Sequence, residues 1–181
     1  MTTGQWTSTL PRAPAWSQPA PAPIDPQAEL GSVDVADTLS FLLGTWSLER
    51  SLEDHRWART GSFSGNAVMT ATRADGASGL VERAHYCETG ELRFGTHIGP
   101  SSRQLEYRRL GRGAAMVHFA GGRPFIQLDL RPGTCRRIHR CGEDRYEITT
   151  HVRSESLVQE LWRVRGPAKD YAATATLIRL A

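Results

Sequence analysis

The chain has 181 residues, a formal net charge of +3 and three cysteines, too few for a disulfide framework. No apolar run is long enough for a membrane-spanning helix, and neither a secretory signal nor a basic stripe for nucleic-acid binding is visible. We therefore expect one globular domain in the cytoplasm, with no membrane or nucleic-acid partner.

The N-terminal segment, residues 1–36, differs in composition from the rest of the chain. It is rich in proline and alanine and shows no apolar periodicity. Such a segment buries too little apolar surface to offset the conformational entropy that it would lose on folding. We therefore predict a disordered tail over residues 1–36 and a folded domain over residues 37–181.

A short helix is predicted immediately before the first strand. Asp37 offers a side-chain cap for its N-terminus, residues 38–43 form one apolar turn, and Gly44 ends it.

From Gly44 onward the sequence consists almost entirely of short strand-like segments. We predict strands over residues 44–53, 61–72, 79–88, 91–98, 103–110, 113–120, 123–130, 134–141, 145–153, 157–165 and 169–180. Glycine-containing turns separate them, among others at Asp75-Gly76, Thr89-Gly90 and Gly99-Pro100. Short strands at this spacing, joined by tight turns, are typical of an antiparallel meander.

Alternation along four of these strands indicates which side chains face inward, because residues two apart share one face of a strand. The inward sets that we expect are Phe63, Gly65, Ala67 and Met69; Tyr146, Ile148, Thr150 and Val152; Val158, Glu160, Trp162 and Val164; and Tyr171, Ala173, Ala175, Leu177 and Arg179. A meander leaves exposed edges unless it closes. We therefore predict an all-β, antiparallel up-and-down barrel of about 8–10 strands with a short N-terminal helix. A two-sheet sandwich is the alternative.

The segment Phe41-Leu42-Leu43-Gly44-Thr45-Trp46 resembles the start of a calycin barrel, where a short helix leads into Gly-x-Trp and the first strand. The calycin superfamily includes lipocalins, fatty-acid-binding proteins and the haem-binding nitrobindins. The resemblance implies that Trp46 closes the floor of the barrel. It also implies that Arg179, near the end of the last strand, packs across Trp46 as a structural cation–π pair.

Three further segments resemble an uncharacterised, mostly actinobacterial family catalogued as domain of unknown function 6314. They are residues 123–130, 139–146 and 162–171, which read RPFIQLDL, HRCGEDRY and WRVRGPAKDY. Together with Gly-x-Trp they cover the barrel but not the tail. The resemblance implies a lipocalin-like fold and no settled activity.

The inward sets predict one cavity, open at one end, with six bordering side chains: Phe63, Met69, Tyr146, Glu160, Trp162 and Tyr171. A mostly apolar wall with a few polar groups is typical of a small-molecule pocket. Glu160 is the main ionisable group in this set, and a carboxylate there either orients a ligand or moves a proton. The competing interpretation is a structural ion pair between Glu160 and an arginine.

Catalysis has three candidate residues, Glu160, His118 and Tyr146. His118 is a lone histidine on its strand, and such residues more often pack than react. For Arg123 and Tyr107, alternation does not decide between the cavity and the outer surface.

Metal binding has one candidate, His139 and Cys141 on one strand face with Cys135 nearby. No second pair at metal-ligand spacing accompanies them, so we expect no metal.

The composition of the predicted cavity favours a barrel that binds a small, largely apolar molecule without a cofactor. One alternative is a cofactorless isomerase, cyclase or hydrolase acting on a natural product, with proton transfer by Glu160, His118 or Tyr146. The other is a ferric haem-binding barrel, which the resemblance to nitrobindins implies. The sequence contains no Gly-x-Ser-x-Gly elbow and no Cys-x-x-Cys-His haem-attachment motif.

Overall fold

The computed structural model describes residues 31–74 and 79–181, which form a short helix followed by ten strands. The elements are α1 (Thr38–Leu42), β1 (Gly44–Asp54), β2 (Arg59–Ala74), β3 (Val81–Phe94), β4 (His97–Leu110), β5 (Ala114–Phe119), β6 (Pro124–Leu128), β7 (Thr134–Cys141), β8 (Asp144–Ser154), β9 (Leu157–Gly166) and β10 (Lys169–Arg179). A 3₁₀ turn, Gly111–Gly113, joins β4 to β5. No helix in these two ranges has the length and apolar character needed to cross a membrane.

The ten strands form one antiparallel sheet that curls into a nearly closed barrel. Each strand pairs with the next along the chain, except at β6 and β7, and the first strand pairs with the last. β6 and β7 are thus the two edges of the sheet, and they face each other across a seam. At this seam the backbone N–H of Asp129 donates to Sγ of Cys135 at 3.4 Å. The predicted all-β barrel is therefore confirmed.

The predicted helix and the alternation of the strands are also present. Oδ1 of Asp37 accepts a hydrogen bond from the N–H of Ser40 at 2.9 Å and caps α1. Inward-facing side chains such as Ala67, Val152 and Ala175 are fully buried. They pack with the apolar side chains of α1 into a single core.

Two of the predicted turns are wrong, those at Thr89-Gly90 and Gly99-Pro100. Both lie inside long strands, β3 and β4, which are joined by a turn at Gly95 and Thr96. Gly90 lies opposite Gly65 on β2, and a Cβ atom on Gly90 would stand 2.7 Å from the Cα atom of Gly65. Gly90 is therefore required for the close approach of two strands, not for a turn.

The predicted tail falls largely outside the described residues, as does the predicted turn at Asp75-Gly76. For residues 1–30 disorder stays a prediction. Residues 31–36 contact the barrel: the N–H of Val33 donates to the carbonyl of Val152 at 2.9 Å, and that of Val35 to the carbonyl of Arg131 at 3.2 Å. Barrel contacts thus begin before Asp37.

Removing residues 1–30 is expected to leave the melting temperature nearly unchanged, because their composition predicts no burial of apolar surface. The matched comparison is a chain that starts at Asp37, which loses the backbone hydrogen bonds of Val33 and Val35 and should melt lower. Thermal unfolding followed by circular dichroism measures both. A large drop for the first truncation would show that residues 1–30 pack against the barrel.

Candidate functional site

The floor of the barrel is closed by Trp46 and Arg179, in the stacking that the sequence predicts. The guanidinium carbon of Arg179 lies 4.1 Å from the centroid of the Trp46 ring, which is 2% exposed. Trp46 donates from Nε1 to the carbonyl of Leu42 at 3.0 Å, and Arg179 donates from Nη1 to that of Leu43 at 2.6 Å. These bonds satisfy carbonyl groups at the C-terminal end of α1 and so fasten the helix to the barrel.

A glycine is required where α1 meets β1. Gly44 has a φ of +115°, a region that favours glycine, and a Cβ atom there would lie 3.1 Å from Nη1 of Arg179. The glycine of the Gly-x-Trp motif therefore makes room for the arginine that stacks on its tryptophan.

An inner cavity of about 40 Å³ lies above this floor. Its apolar lining includes Trp46, Met69 and Leu177. Its polar lining groups are Tyr86, Arg103, Tyr107, Thr150 and Glu160. The volume suffices for a few water molecules or for one end of a larger ligand.

A larger space, which we call the mouth pocket, opens above the inner cavity on the side of the seam and has a volume of about 400 Å³. Side chains of β5, the β5–β6 turn, β6, β7, β8 and β9 line it, among them Phe119, Arg123, Phe125, His139, Tyr146 and Trp162. Arg103, Leu105, Phe125 and Trp162 border both spaces, so the two are adjacent. The mouth pocket has the size of a small-molecule site.

Aromatic rings follow one another along the wall of the mouth pocket. Phe119 and Phe125 lie 4.8 Å apart, and Phe125 and Trp162 are stacked at 5.8 Å, measured between ring centroids. The imidazole of His139 packs edge-on against Phe125 at 4.9 Å, across the seam from β7 to β6. We refer to Phe119, Phe125 and Trp162 as the aromatic row.

The most heavily bonded charged group of the barrel interior is Glu88, which the sequence did not single out. Its carboxylate accepts two hydrogen bonds from Arg50, at 2.9 and 3.0 Å, and one each from Arg103 at 2.9 Å and the Tyr86 hydroxyl at 2.7 Å. Burial acts to raise the pKa of Glu88, but the hydrogen bonds from Arg50 and the charge of Arg103 outweigh it and lower the pKa to about 2. Glu88 is therefore ionised and holds Arg103 at the boundary of the two spaces.

Glu160 lines the inner cavity. The alternative interpretation, a structural ion pair between Glu160 and an arginine, is not found among the described residues. Its hydrogen bond comes from Nε1 of Trp162 at 3.2 Å, and within the described ranges no lysine or arginine forms an ion pair with it. Arg103, which lines the same cavity, pairs with Glu88 instead. Glu160 therefore retains capacity to accept a hydrogen bond from a ligand.

Tyr146 lies at the rim of the mouth pocket rather than in the inner cavity. Its hydroxyl oxygen accepts a hydrogen bond from Nζ of Lys169 at 2.7 Å, and Lys169 also pairs with Asp144 at 2.7 Å. The hydrogen bond to Asp144, followed by that to Tyr146, raises the pKa of Lys169. This three-residue cluster joins the ends of β8 and β10.

The six predicted cavity residues do not all border one space. Met69, Glu160 and Trp162 line the inner cavity, and Tyr146 and Trp162 line the mouth pocket. Phe63 and Tyr171 line neither; Phe63 is buried beneath the Arg50 guanidinium at 5.5 Å, and Tyr171 is half-buried on β10. Alternation identifies the face of a strand but not which of the inward side chains border the same space.

His118 is buried on β5 but lines neither space. The strand neighbour Val117 lines the inner cavity, so alternation places His118 on the opposite face of β5. The structure therefore does not bring His118 together with Glu160 and Tyr146.

Arg103 and Tyr86 were missed as cavity residues, and Tyr107, which alternation left undecided, lines the inner cavity. The signal was available, since Ala84-x-Tyr86-x-Glu88 and Arg103-x-Leu105-x-Tyr107 alternate in the same way as the predicted inward sets. Within the described ranges, no group of three or more histidine, cysteine or acidic side chains could hold a metal ion.

Comparison with solved structures finds a similar fold in another protein. The chain is similar to the S-type phycobiliprotein lyase CPES from Guillardia theta, with a TM-score of 0.55 and 14% identity over 86% of this chain and 99% of that one. It is also similar to the redesigned β-barrel mFAP0 bound to DFHBI, with a TM-score of 0.40 and 11% identity over 77% of this chain and 99% of that one. At such identities the likeness concerns the fold alone.

Comparison with curated proteins finds no match. The sequence profile of the family of unknown function DUF6314 matches residues 42–179, which span β1 to β10 and the inner cavity and mouth pocket. The chain therefore belongs to the DUF6314 family.

Proposed function

We propose that the protein binds a small, largely apolar ligand in the mouth pocket, with one end of the ligand reaching the inner cavity. The observation that carries the proposal is that the two spaces are adjacent and share Arg103, Leu105, Phe125 and Trp162 in their walls. Aromatic and aliphatic walls with a few polar groups favour binding of apolar molecules, and about 400 Å³ accommodates one. Helix α1, Gly-x-Trp and the Trp46–Arg179 stack support a calycin-type assignment of the barrel.

Titration with the neutral fluorophore N-phenyl-1-naphthylamine tests the proposal. Saturable binding of one probe per chain is expected, and Phe125→Ala should weaken it because that ring forms part of both spaces. The matched control is Phe94→Ala, since Phe94 ends β3 and lines neither space. Lack of saturable binding, or equal affinity in Phe125→Ala and the unaltered chain, would overturn the proposal.

A second candidate function, acid–base catalysis without a cofactor, is favoured by one observation. Glu160 and Tyr107 both line the inner cavity, where Glu160 has no ion-pair partner among the described residues. Burial, and then the charge of Glu160, raise the pKa of Tyr107, so its hydroxyl stays protonated and can donate to a bound molecule. Glu160 and Tyr107 are therefore the candidate acid–base residues, in place of the predicted Glu160, His118 and Tyr146.

Glu160→Gln is expected to leave the free energy of unfolding similar or higher, because no lysine or arginine in the described part of the chain loses an ion pair. Urea unfolding followed by tryptophan fluorescence measures it. A loss of about 3–5 kcal/mol, the size expected for breaking a buried ion pair, would instead assign Glu160 a structural role and rule it out as a catalytic candidate.

We further propose that binding needs no cofactor and that the protein is cytoplasmic. Cys87, Cys135 and Cys141 are free thiols, as is typical of reducing compartments. Ferric haem, the other alternative, would have His139 as its ligand, but the rings of Phe119, Phe125 and Tyr146 pack around this imidazole. A Soret band that appears on adding ferric haem and is lost in His139→Ala would contradict the cofactor-free proposal.

A further inference from the structure

We infer that the mouth pocket selects a planar aromatic carboxylate, which it binds with its ring against the aromatic row and its carboxylate among arginines. The inference rests on the proposed function and specifies the class of ligand. It starts from the charges of the mouth pocket: among the described residues, three arginines line it, Arg103, Arg123 and Arg140, and no aspartate or glutamate does.

The arginines lie at both ends of the aromatic row. The guanidinium of Arg123 stands over Phe119 at 5.7 Å, and that of Arg103 stands over Trp162 at 5.6 Å. Between them run the contacts from Phe119 through Phe125 to Trp162. A flat ring that stacks on this row therefore places its substituents beside a cation at either end.

Arg103 has hydrogen-bonding capacity that its ion pair does not use. A guanidinium carries five N–H groups, and Nη2 of Arg103 donates to Glu88 while its Nε is buried and has no hydrogen-bond partner. About a third of the side chain is exposed, and it borders the mouth pocket. A carboxylate is the group best suited to the remaining donors, since it accepts the paired N–H groups of a guanidinium.

The charge of the inner cavity sets the orientation of the ligand. Glu160 is the carboxylate that lines the inner cavity, and among the described residues no lysine or arginine forms an ion pair with it, since Arg103, which borders the same cavity, pairs with Glu88. An anionic group that entered the inner cavity would be repelled by it, whereas in the mouth pocket it meets Arg123 and Arg140 at the rim. The carboxylate of the ligand therefore stays in the mouth pocket.

Three probes with one ring system and different charge test the inference on the full chain. They are 2-naphthoate, the neutral 2-naphthylmethanol and the cationic 2-naphthylmethylammonium, each titrated against the fluorescence of the protein. Since a hydrogen bond to a charged group contributes more than a neutral one, we expect 2-naphthoate to bind about tenfold more tightly than the alcohol. Its affinity should fall as salt concentration rises.

Substitutions of the exposed arginines of the mouth pocket test the effect of their charge on binding without disturbing the fold. Arg123→Gln and Arg140→Gln change exposed side chains, so both proteins should fold and bind 2-naphthoate about two- to fivefold more weakly, with the affinity for the alcohol unchanged. The matched control is Arg83→Gln, an exposed arginine of β3 that lines neither space and should change neither affinity.

The outcomes distinguish failure of the inference from failure of the proposed function. Tighter binding of 2-naphthoate that depends on Arg123 or Arg140 supports both. Equal binding of the three probes, or preference for the ammonium, overturns the carboxylate inference and leaves an apolar site in place. If none of the three binds, and N-phenyl-1-naphthylamine does not bind either, both are overturned.

Discussion

Replacing Trp46 with alanine is expected to lower the free energy of unfolding by about 3–5 kcal/mol, the range for truncation of a large buried aromatic side chain. Trp46 is 2% exposed, stacks on Arg179 and packs against Phe41 at 5.9 Å between ring centroids. Its truncation also removes the hydrogen bond to the carbonyl of Leu42 that helps to fasten α1. Urea unfolding followed by circular dichroism measures the loss.

Trp57→Ala provides the matched control for this change. Trp57 is 63% exposed in the turn between β1 and β2, and its ring contacts the guanidinium of Arg56. Because an exposed ring buries little surface, its truncation should change the free energy of unfolding by about 0.5 kcal/mol or less. Equal losses for the two tryptophans would contradict the role of Trp46 as the floor of the barrel.

Glu88→Gln is expected to cost about 3–5 kcal/mol of folding free energy, because it removes one member of a buried ionic network. The side chain of Glu88 is 4% exposed and that of Arg50 14% exposed, so water cannot replace the lost charge for Arg50. Glu91→Gln is the matched control. The Glu91–Arg93 pair is exposed on both sides, and such pairs contribute about 0–1 kcal/mol.

The low pKa of Glu88 predicts a dependence of stability on pH. This pKa is about 2 in the folded protein against an ordinary value of 4.5, so folding favours the ionised form. The stabilisation is fully present above pH 4.5 and is lost as the pH falls toward 2. Urea unfolding across this range should show a shallower decrease for Glu88→Gln than for the unaltered chain. Parallel decreases would contradict the assignment of the acid sensitivity to Glu88.

The sequence by itself determined the local features of this protein. Period-two alternation depends only on the geometry of an extended strand, and it identified the buried faces of β2, β8, β9 and β10. A capping aspartate, one apolar turn and a glycine sufficed for α1. The resemblance of the Gly-x-Trp segment to calycin barrels implied the stack of Trp46 on Arg179, which lie opposite each other on the first and last strands.

Only the tertiary structure decided which of these inward side chains meet. Arg50, Glu88 and Arg103 come from β1, β3 and β4, and their ion pairs link positions 38 and 15 residues apart. The buried glutamate with arginine partners is thus Glu88, whereas Glu160 faces the cavity without one. Registers between strands depend on the packing of the whole barrel, and a period of two carries no information about height along its axis.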